Sequence, residues 1–122
     1  DSTEKYRDLS ENMQLVGNIL FEKAKVEANP SRSINKLKNA RIAFEKSNSF
    51  AESTQYLKAV CDNYSNLLSI AIMLAEDSEV DRLYNILKML LTDKMNIPER
   101  LERIELIVRM YREARQLYRN NI

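Results

Sequence analysis

Residues 53–75, STQYLKAVCDNYSNLLSIAIMLA, decide the fold class. Apolar side chains recur in this stretch at alternating steps of three and four, which is the spacing of one face of an α-helix. Lys58 and Asp62 are its only charged residues. Because a helix so poor in charge packs against neighbours on several sides, we expect this segment to be the central helix of an all-α protein.

The same spacing continues on both sides of this stretch. It predicts five helices, over residues 3–28, 30–47, 50–75, 79–95 and 98–120. Asn29 and Pro30 end the first helix and open the second, because Asn caps helices and Pro fits the first helical turn. Ser49 and Glu52 have the spacing of a capping box, which predicts the start of the third helix.

The predicted helices alternate long, short, long, short, long, and short connections make successive helices antiparallel neighbours. They form either a compact bundle or two stacked hairpins plus a closing helix, in the manner of HEAT or tetratricopeptide repeats. Ser2, Ser49 and Asn96 lie 47 residues apart, a period typical of stacked helix pairs. The alternative is that amphipathic helices align by chance.

No linker rich in Gly, Ser or Pro divides residues 1–122, so we expect a single domain. The sequence does not begin with Met, which indicates a processed chain or a domain excised from a longer protein. Gly17 lies inside the first predicted helix, where it costs about 1 kcal/mol relative to Ala. It indicates either a close helix crossing or a tolerated surface position.

Composition excludes most catalytic chemistry. The 122 residues include no His, one Cys and one Gly, and the net charge is +1. Without His the chain cannot build a Ser-His-Asp or Cys-His nucleophile system or a Cys/His zinc site. One Gly cannot supply a phosphate-binding loop. We therefore expect no enzymatic activity, no cofactor and no metal.

The single cysteine and the hydropathy pattern bear on compartment. Cys61 has no partner for an internal disulfide, which favours the cytoplasm or another reducing compartment. The longest nearly apolar run covers residues 67–75, whereas a bilayer requires about 20 residues. We expect no membrane span.

The fifth predicted helix carries the main candidates for binding a partner. Arg and Tyr dominate the binding energy of many protein interfaces, and the candidates of these types are Arg109, Arg112, Arg115, Arg119, Tyr111 and Tyr118. In the alternative, the two Tyr residues belong to the core and the Arg residues lie on the surface beside Glu105 and Glu113. The side chains expected inward are Ile104, Ile107, Val108, Tyr111, Ala114 and Tyr118.

Two further charged groups lie outside the fifth helix. The second helix carries a candidate basic face, which consists of Arg32, Lys36, Lys38 and Arg41. Such a face binds phosphates or acidic partners, although the small net charge favours a merely solvated surface. Asp77, Glu79 and Asp81 have the 1-3-5 spacing of a calcium loop, but the Gly and Glu that such a loop needs later are missing.

These patterns favour a non-enzymatic adaptor, scaffold or regulatory module that binds a protein or peptide through its third and fifth helices. One alternative is a module that binds nucleic acid through the second and fifth helices. Another is a homodimer in which the fifth helix pairs with its symmetry mate.

Overall fold

The protein is built of α-helices, as the computed structural model shows for residues 2–121. Five helices and one π-helical segment follow in chain order: α1 Ser2–Val26, α2 Pro30–Ser53, α3 Leu57–Met73, α4 Asp77–Met89, the π-helical segment Leu90–Lys94, and α5 Pro98–Asn120. No strand occurs among these residues. The all-α prediction is confirmed.

Successive helices run antiparallel and pack mainly on their neighbours in sequence. The pair α1 and α2 illustrates the direction: Ser10 contacts Ser47, while Ser33, near the start of α2, donates to the Ala24 carbonyl near the end of α1. Helix α3 packs on α2 and α4 and also touches α1. This central position is the one predicted from its low charge.

The core is apolar and centres on α3. Its members from that helix include Cys61, Leu68 and Ile70, which pack with Phe44 of α2 and Leu87 of α4. Burial raises the pKa of the Cys61 thiol. The thiol therefore stays protonated and serves as a small core side chain.

The predicted boundary between the second and third helices was wrong. Ser49 and Glu52 lie inside α2, which continues to Ser53. The Asn48 side chain donates to Glu52 at 3.0 Å, and the Ser53 hydroxyl donates to the Ser49 carbonyl at 2.9 Å. Both are contacts between residues four apart in a continuous helix. The spacing of a capping box also places its two residues on one helical face, so the pattern alone does not mark a helix start.

Because α2 is longer than predicted, the pattern of helix lengths also differs from the prediction. Helices α1, α2 and α5 have 25, 24 and 23 residues, whereas α3 and α4 have 17 and 13. The predicted alternation of long and short helices was wrong. Because Ser49 lies within α2, the spacing of 47 residues does not separate helix starts.

Three of the connections reverse the chain without glycine. Gln55, Ala75 and Asn96 adopt left-handed backbone conformations, with φ of 54°, 54° and 52°. The N–H of the residue after Gln55 donates to the carbonyl five residues back at 2.9 Å, and the same bond follows Ala75 at 3.0 Å. These are the bonds of the Schellman motif, which normally places Gly at the left-handed position. The protein thus makes tight helix ends with residues that favour them less.

Gly17 lies where α1 packs tightly against Phe44 of α2. A Cβ atom at this position would lie 2.7–2.9 Å from three ring atoms of Phe44, which is fully buried. The proposed helix crossing is therefore confirmed, and the surface alternative is wrong. Asn29 and Pro30 also act as predicted, since the Asn29 side chain accepts the Arg32 N–H at 3.0 Å and Pro30 begins α2.

A buried polar network joins α1, α2 and α3. The Ser47 hydroxyl donates to the Ser10 carbonyl at 2.7 Å and accepts the Asn63 amide at 2.9 Å. Its only proton is thereby used, so the Ser10 hydroxyl donates to Ser47 Oγ across 3.1 Å. Gln14 donates to the Asn63 side-chain oxygen at 3.1 Å. Because a shifted helix would leave these buried groups unpaired, the network fixes the register of the three helices.

Candidate functional site

A cluster centred on Asp77 joins the first turn of α4 to the second half of α5. The Tyr111 hydroxyl and a guanidinium nitrogen of Arg119 donate to its two carboxylate oxygens. Arg115 Nε donates to Asp77 Oδ1 at 3.2 Å. Three of the predicted partner-binding residues thus share one carboxylate of the same chain.

Arg112, another of the six predicted partner-binding residues, is also paired within the chain. Arg112 donates to Asp81, one turn further along α4, at 2.8 Å, and its guanidinium lies 5.5 Å from the ring centroid of Tyr84. Arg109 makes no ion pair among residues 2–121. Its predicted partner Glu105 instead accepts the Tyr84 hydroxyl at 3.2 Å.

The cluster fixes the protonation of its central groups. The hydrogen bond from Tyr111, followed by that from Arg115, holds the pKa of Asp77 below its ordinary value. Burial, followed by the hydrogen bond to Asp77, raises the pKa of Tyr111 to about 12. At neutral pH the carboxylate is therefore ionised and the phenol protonated, so that Tyr111 donates and Asp77 accepts.

The same acids account for the spacing that resembled a calcium loop. Asp77 and Asp81 accept from the arginines of α5, and Glu79 pairs with Arg82 at 2.9 Å. Each carboxylate thus has a guanidinium partner. Across the described chain, no three His, Cys, Asp or Glu side chains gather closely enough to hold a metal ion.

A second surface of α5 is apolar and points away from α4. We call it the outward apolar face, and its members are Leu106, Ile107, Met110, Ala114, Leu117 and Tyr118. The five large side chains are 45–62% exposed, and Ala114 is exposed as well. Tyr118 carries the Arg115 guanidinium 5.3 Å from its ring centroid and so lies at the edge of the Asp77 cluster.

Helical geometry shows how wide this face is. At about 100° per residue, its six side chains fall within an arc of roughly 120°, and no charged residue of positions 104–118 falls within that arc. The adjoining arc carries Ile104 and Val108, which are buried. From Leu106 round to Val108 the helix surface spans roughly 200°, and Arg115 is the one charged residue of positions 104–118 within it. The fold covers only the part centred on Ile104 and Val108.

The prediction of the inward side chains of this helix was partly wrong. Ile104 and Val108 are buried and Tyr111 is partly buried, but Ile107, Ala114 and Tyr118 are exposed. A spacing of three and four identifies an apolar stripe without saying which part of a wide stripe meets the core. Leu106, Met110 and Leu117 were not singled out at all, although the width of the apolar arc was a signal for them.

Two members of the candidate basic face are paired with acids of the same chain. Lys36 Nζ lies 2.9 Å from a Glu27 carboxylate oxygen. Arg41 contacts Glu76 through both terminal guanidinium nitrogens, at 3.2 and 3.3 Å. These two cations therefore pair with acids that lie just after the end of α1 and just before the start of α4.

The other two members point in different directions. Arg32 and Lys38 make no ion pair within the described residues, and both are exposed. Their positions on α2 differ by roughly 120° around the helix axis. The structure thus does not gather the four cations onto one face.

Comparisons with known proteins identify no relative. No protein-family model matches the chain, and no curated protein and no solved structure matches it either. None of the helices within residues 2–121 is both long and apolar enough to cross a bilayer.

Proposed function

We propose that this chain is a non-enzymatic module that binds another protein, and that the outward apolar face of α5 is its contact surface. The proposal rests on two properties of this face: its large apolar side chains are about half exposed, and no charged residue of positions 104–118 lies among them. Surface apolar residues are ordinary when scattered, but a contiguous patch is typical of a binding site.

The size of the face agrees with this role. Its exposed side chains amount to roughly 500 Å², which equals the largest patches of typical monomers, and such patches are often functional. Leu, Ile, Met and Tyr also offer the adaptable and aromatic contacts that protein interfaces use.

The charges around the face favour a protein over a nucleic acid. Nucleic-acid binding draws its affinity from cations that replace the counterions of phosphate. In α5 those cations are largely occupied, because Asp77 holds Arg115 and Arg119 and Asp81 holds Arg112. We assign these arginines and Tyr111 the role of positioning α5, so that its apolar face is presented on a fixed helix. With an unpaired Cys61, we place this activity in the cytoplasm or another reducing compartment.

Photo-cross-linking tests the proposal. We would incorporate p-benzoylphenylalanine at Leu117 and, as a matched control, at Gln116, the adjacent exposed position on the polar side of α5. In cells that make the full chain, we expect a discrete protein adduct from position 117 and none from position 116. The purified adduct partner should bind the wild type and the Gln116→Glu variant but not Leu117→Glu.

Two results would contradict the proposal. One is the absence of any specific adduct from Leu117. The other is a partner that binds Leu117→Glu as tightly as the wild type, when circular dichroism shows that Leu117→Glu and Gln116→Glu are both folded.

A further inference from the structure

We infer that the outward apolar face of α5 binds the same face of a second copy of this chain, with the two α5 helices antiparallel about a two-fold axis. This inference rests on the proposed function, because it names the partner of that surface. Three features of the face support it: its area, the spacing of its apolar side chains, and the charges at its ends and edge.

The area is sufficient for a self-contact. Each copy would contribute roughly 500 Å² of apolar surface, so a pair that covered all of it would bury roughly 1,000 Å², an area typical of a weak, reversible contact. A two-fold contact places the same patch on both sides.

The spacing is that of a helix-pairing seam. Ile107, Met110, Ala114 and Leu117 follow one another at steps of three, four and three, which is the pattern by which two helices interlock their side chains. Ala114 is small and lies within the stripe. A small residue there allows the two helix backbones to approach closely.

The charges at the two ends of the face select the antiparallel orientation. Arg103 lies at its N-terminal end, and Asn121 caps α5 at its C-terminal end. A helix C-terminus carries partial negative charge from its free carbonyls, which favours a nearby cation. An antiparallel pair brings each Arg103 to the C-terminal end of the other α5, whereas a parallel pair would bring the two Arg103 side chains together.

The edge of the face is also self-complementary. Arg109 and Glu113 lie beside it, one turn apart, and make no ion pair within residues 2–121. With Met110 opposite Ala114 of the second copy, Arg109 of each chain comes to nearly the same height as Glu113 of the other. The two-fold axis repeats this pair, so two opposite-charge contacts flank one apolar seam.

Sedimentation equilibrium of the full chain tests the self-contact. The chain has a mass of 14.3 kDa, and we expect a reversible transition to twice that mass at micromolar to millimolar concentration. Met110→Glu places a charge in the seam and should weaken association at least about 100-fold. Gln116→Glu adds the same charge on the polar side of α5 and should leave association unchanged. A dimer that survives both Met110→Glu and Leu117→Glu would overturn the inference.

Disulfide trapping tests the orientation. In an antiparallel pair with this register, the two positions 103 are roughly 27 Å apart, at a rise of 1.5 Å per residue. We therefore expect Arg103→Cys mixed with Asn121→Cys to form a mixed disulfide dimer, and Arg103→Cys alone to form none. Efficient trapping by Arg103→Cys alone would indicate a parallel pair and overturn the inference.

The failure of this inference can be separated from the failure of the proposed function. The chain could be monomeric at about 1 mM while position 117 gives an adduct with a different protein. In that case the inferred self-contact is wrong and the proposed function stands. A monomer without any adduct overturns both. An adduct of twice the chain mass, together with a dimer sensitive to Met110→Glu, supports both.

Discussion

Gly17 has a structural role that depends on its lack of a side chain. It lies within α1 against the ring of Phe44, where a Cβ atom would come within 2.7 Å of the ring. Because Phe44 is fully buried, its ring has no solvent to move into. The position therefore sets the distance between α1 and α2 at the cost of helix propensity.

The variant Gly17→Ala separates these two effects. Ala improves helix propensity by about 1 kcal/mol, whereas an extra methyl group in a packed core costs about 1–3 kcal/mol. We expect a net loss of about 1 kcal/mol in the free energy of unfolding, measured by urea denaturation.

A Phe44→Leu background provides the control. With the ring removed, adding Gly17→Ala should be neutral or stabilising by about 1 kcal/mol. If Gly17→Ala stabilises the wild type, the close crossing is not a packing constraint.

Asp77 makes stability depend on acid pH. Its pKa in the folded chain lies below the ordinary value because Tyr111 and Arg115 donate to it. A carboxyl group with a lowered folded pKa contributes stability above its unfolded pKa of about 3.9, and this contribution is lost as the pH falls through the folded value. Asp77→Asn should therefore destabilise the chain at pH 7, and the difference from wild type should shrink below about pH 4.

Chemical denaturation at several pH values measures this effect. Asp8→Asn is a suitable control, because Asp8 is exposed and makes no ion pair within the described chain. It should change stability little at either pH. A wild-type advantage over Asp77→Asn that is equal at pH 7 and pH 3 would contradict the assigned role of the carboxylate.

At the scale of elements, the helix ends explain how a chain with one Gly folds into five helices. Gln55, Ala75 and Asn96 occupy left-handed positions that end α2, α3 and the π-helical segment. A left-handed conformation costs a residue such as Gln or Ala about 1–2 kcal/mol, whereas Asn adopts it more readily. At Gln55 and Ala75 the cost is offset by the Schellman bonds and by the packing of the helices on each side.

Glycine at these positions should stabilise the fold. Ala75→Gly removes the steric cost but increases the freedom of the unfolded chain, so we expect a net gain of about 0.5–1 kcal/mol in the free energy of unfolding. Lys38→Gly, at an exposed position inside α2, should instead lose about 1 kcal/mol. Thermal unfolding of the two variants measures the gain and the loss of stability. A loss of stability in Ala75→Gly would contradict the claim that this helix end is strained.

The sequence was informative where local chemistry decides the structure. Asn29 and Pro30 marked a real helix start, because a side-chain cap and a fixed φ act within a few residues. Ser49 and Glu52 misled, because their spacing also suits the middle of a helix. No local pattern announced Gln55 or Ala75, since neither residue type prefers a left-handed conformation. Tertiary packing imposes it there.

The candidate site was harder to predict for a related reason. The arginines of α5 were visible in the sequence, but their partners Asp77 and Asp81 lie more than thirty residues away. For the same reason the sequence did not determine which side of α5 faces the core. Its apolar arc is wider than one contact, and only the position of α4 decides which part is covered.

At the scale of the whole molecule, packing in chain order leaves the last helix with few neighbours. Helix α5 packs on α4 and the π-helical segment and reaches α3 through the ion pair of Arg100 with Asp62. Its cluster around Asp77 fixes it against α4. The remaining apolar arc faces outward. The molecule therefore presents an uncovered apolar helix face, the surface that we propose as its contact with another protein.

The rate of methionine oxidation shows whether the outward apolar face of α5 is covered in the native protein. Met110 is 59% exposed in the single chain, and Met73 and Met89, at 47% and 49%, serve as internal controls. We would treat the protein, isolated with its complexes intact, with dilute peroxide and follow sulfoxide formation by peptide mass spectrometry. We expect Met110 to oxidise several-fold more slowly than both controls in the intact protein and equally fast after denaturation. Oxidation of Met110 in the intact protein as fast as that of Met73 and Met89 would contradict it.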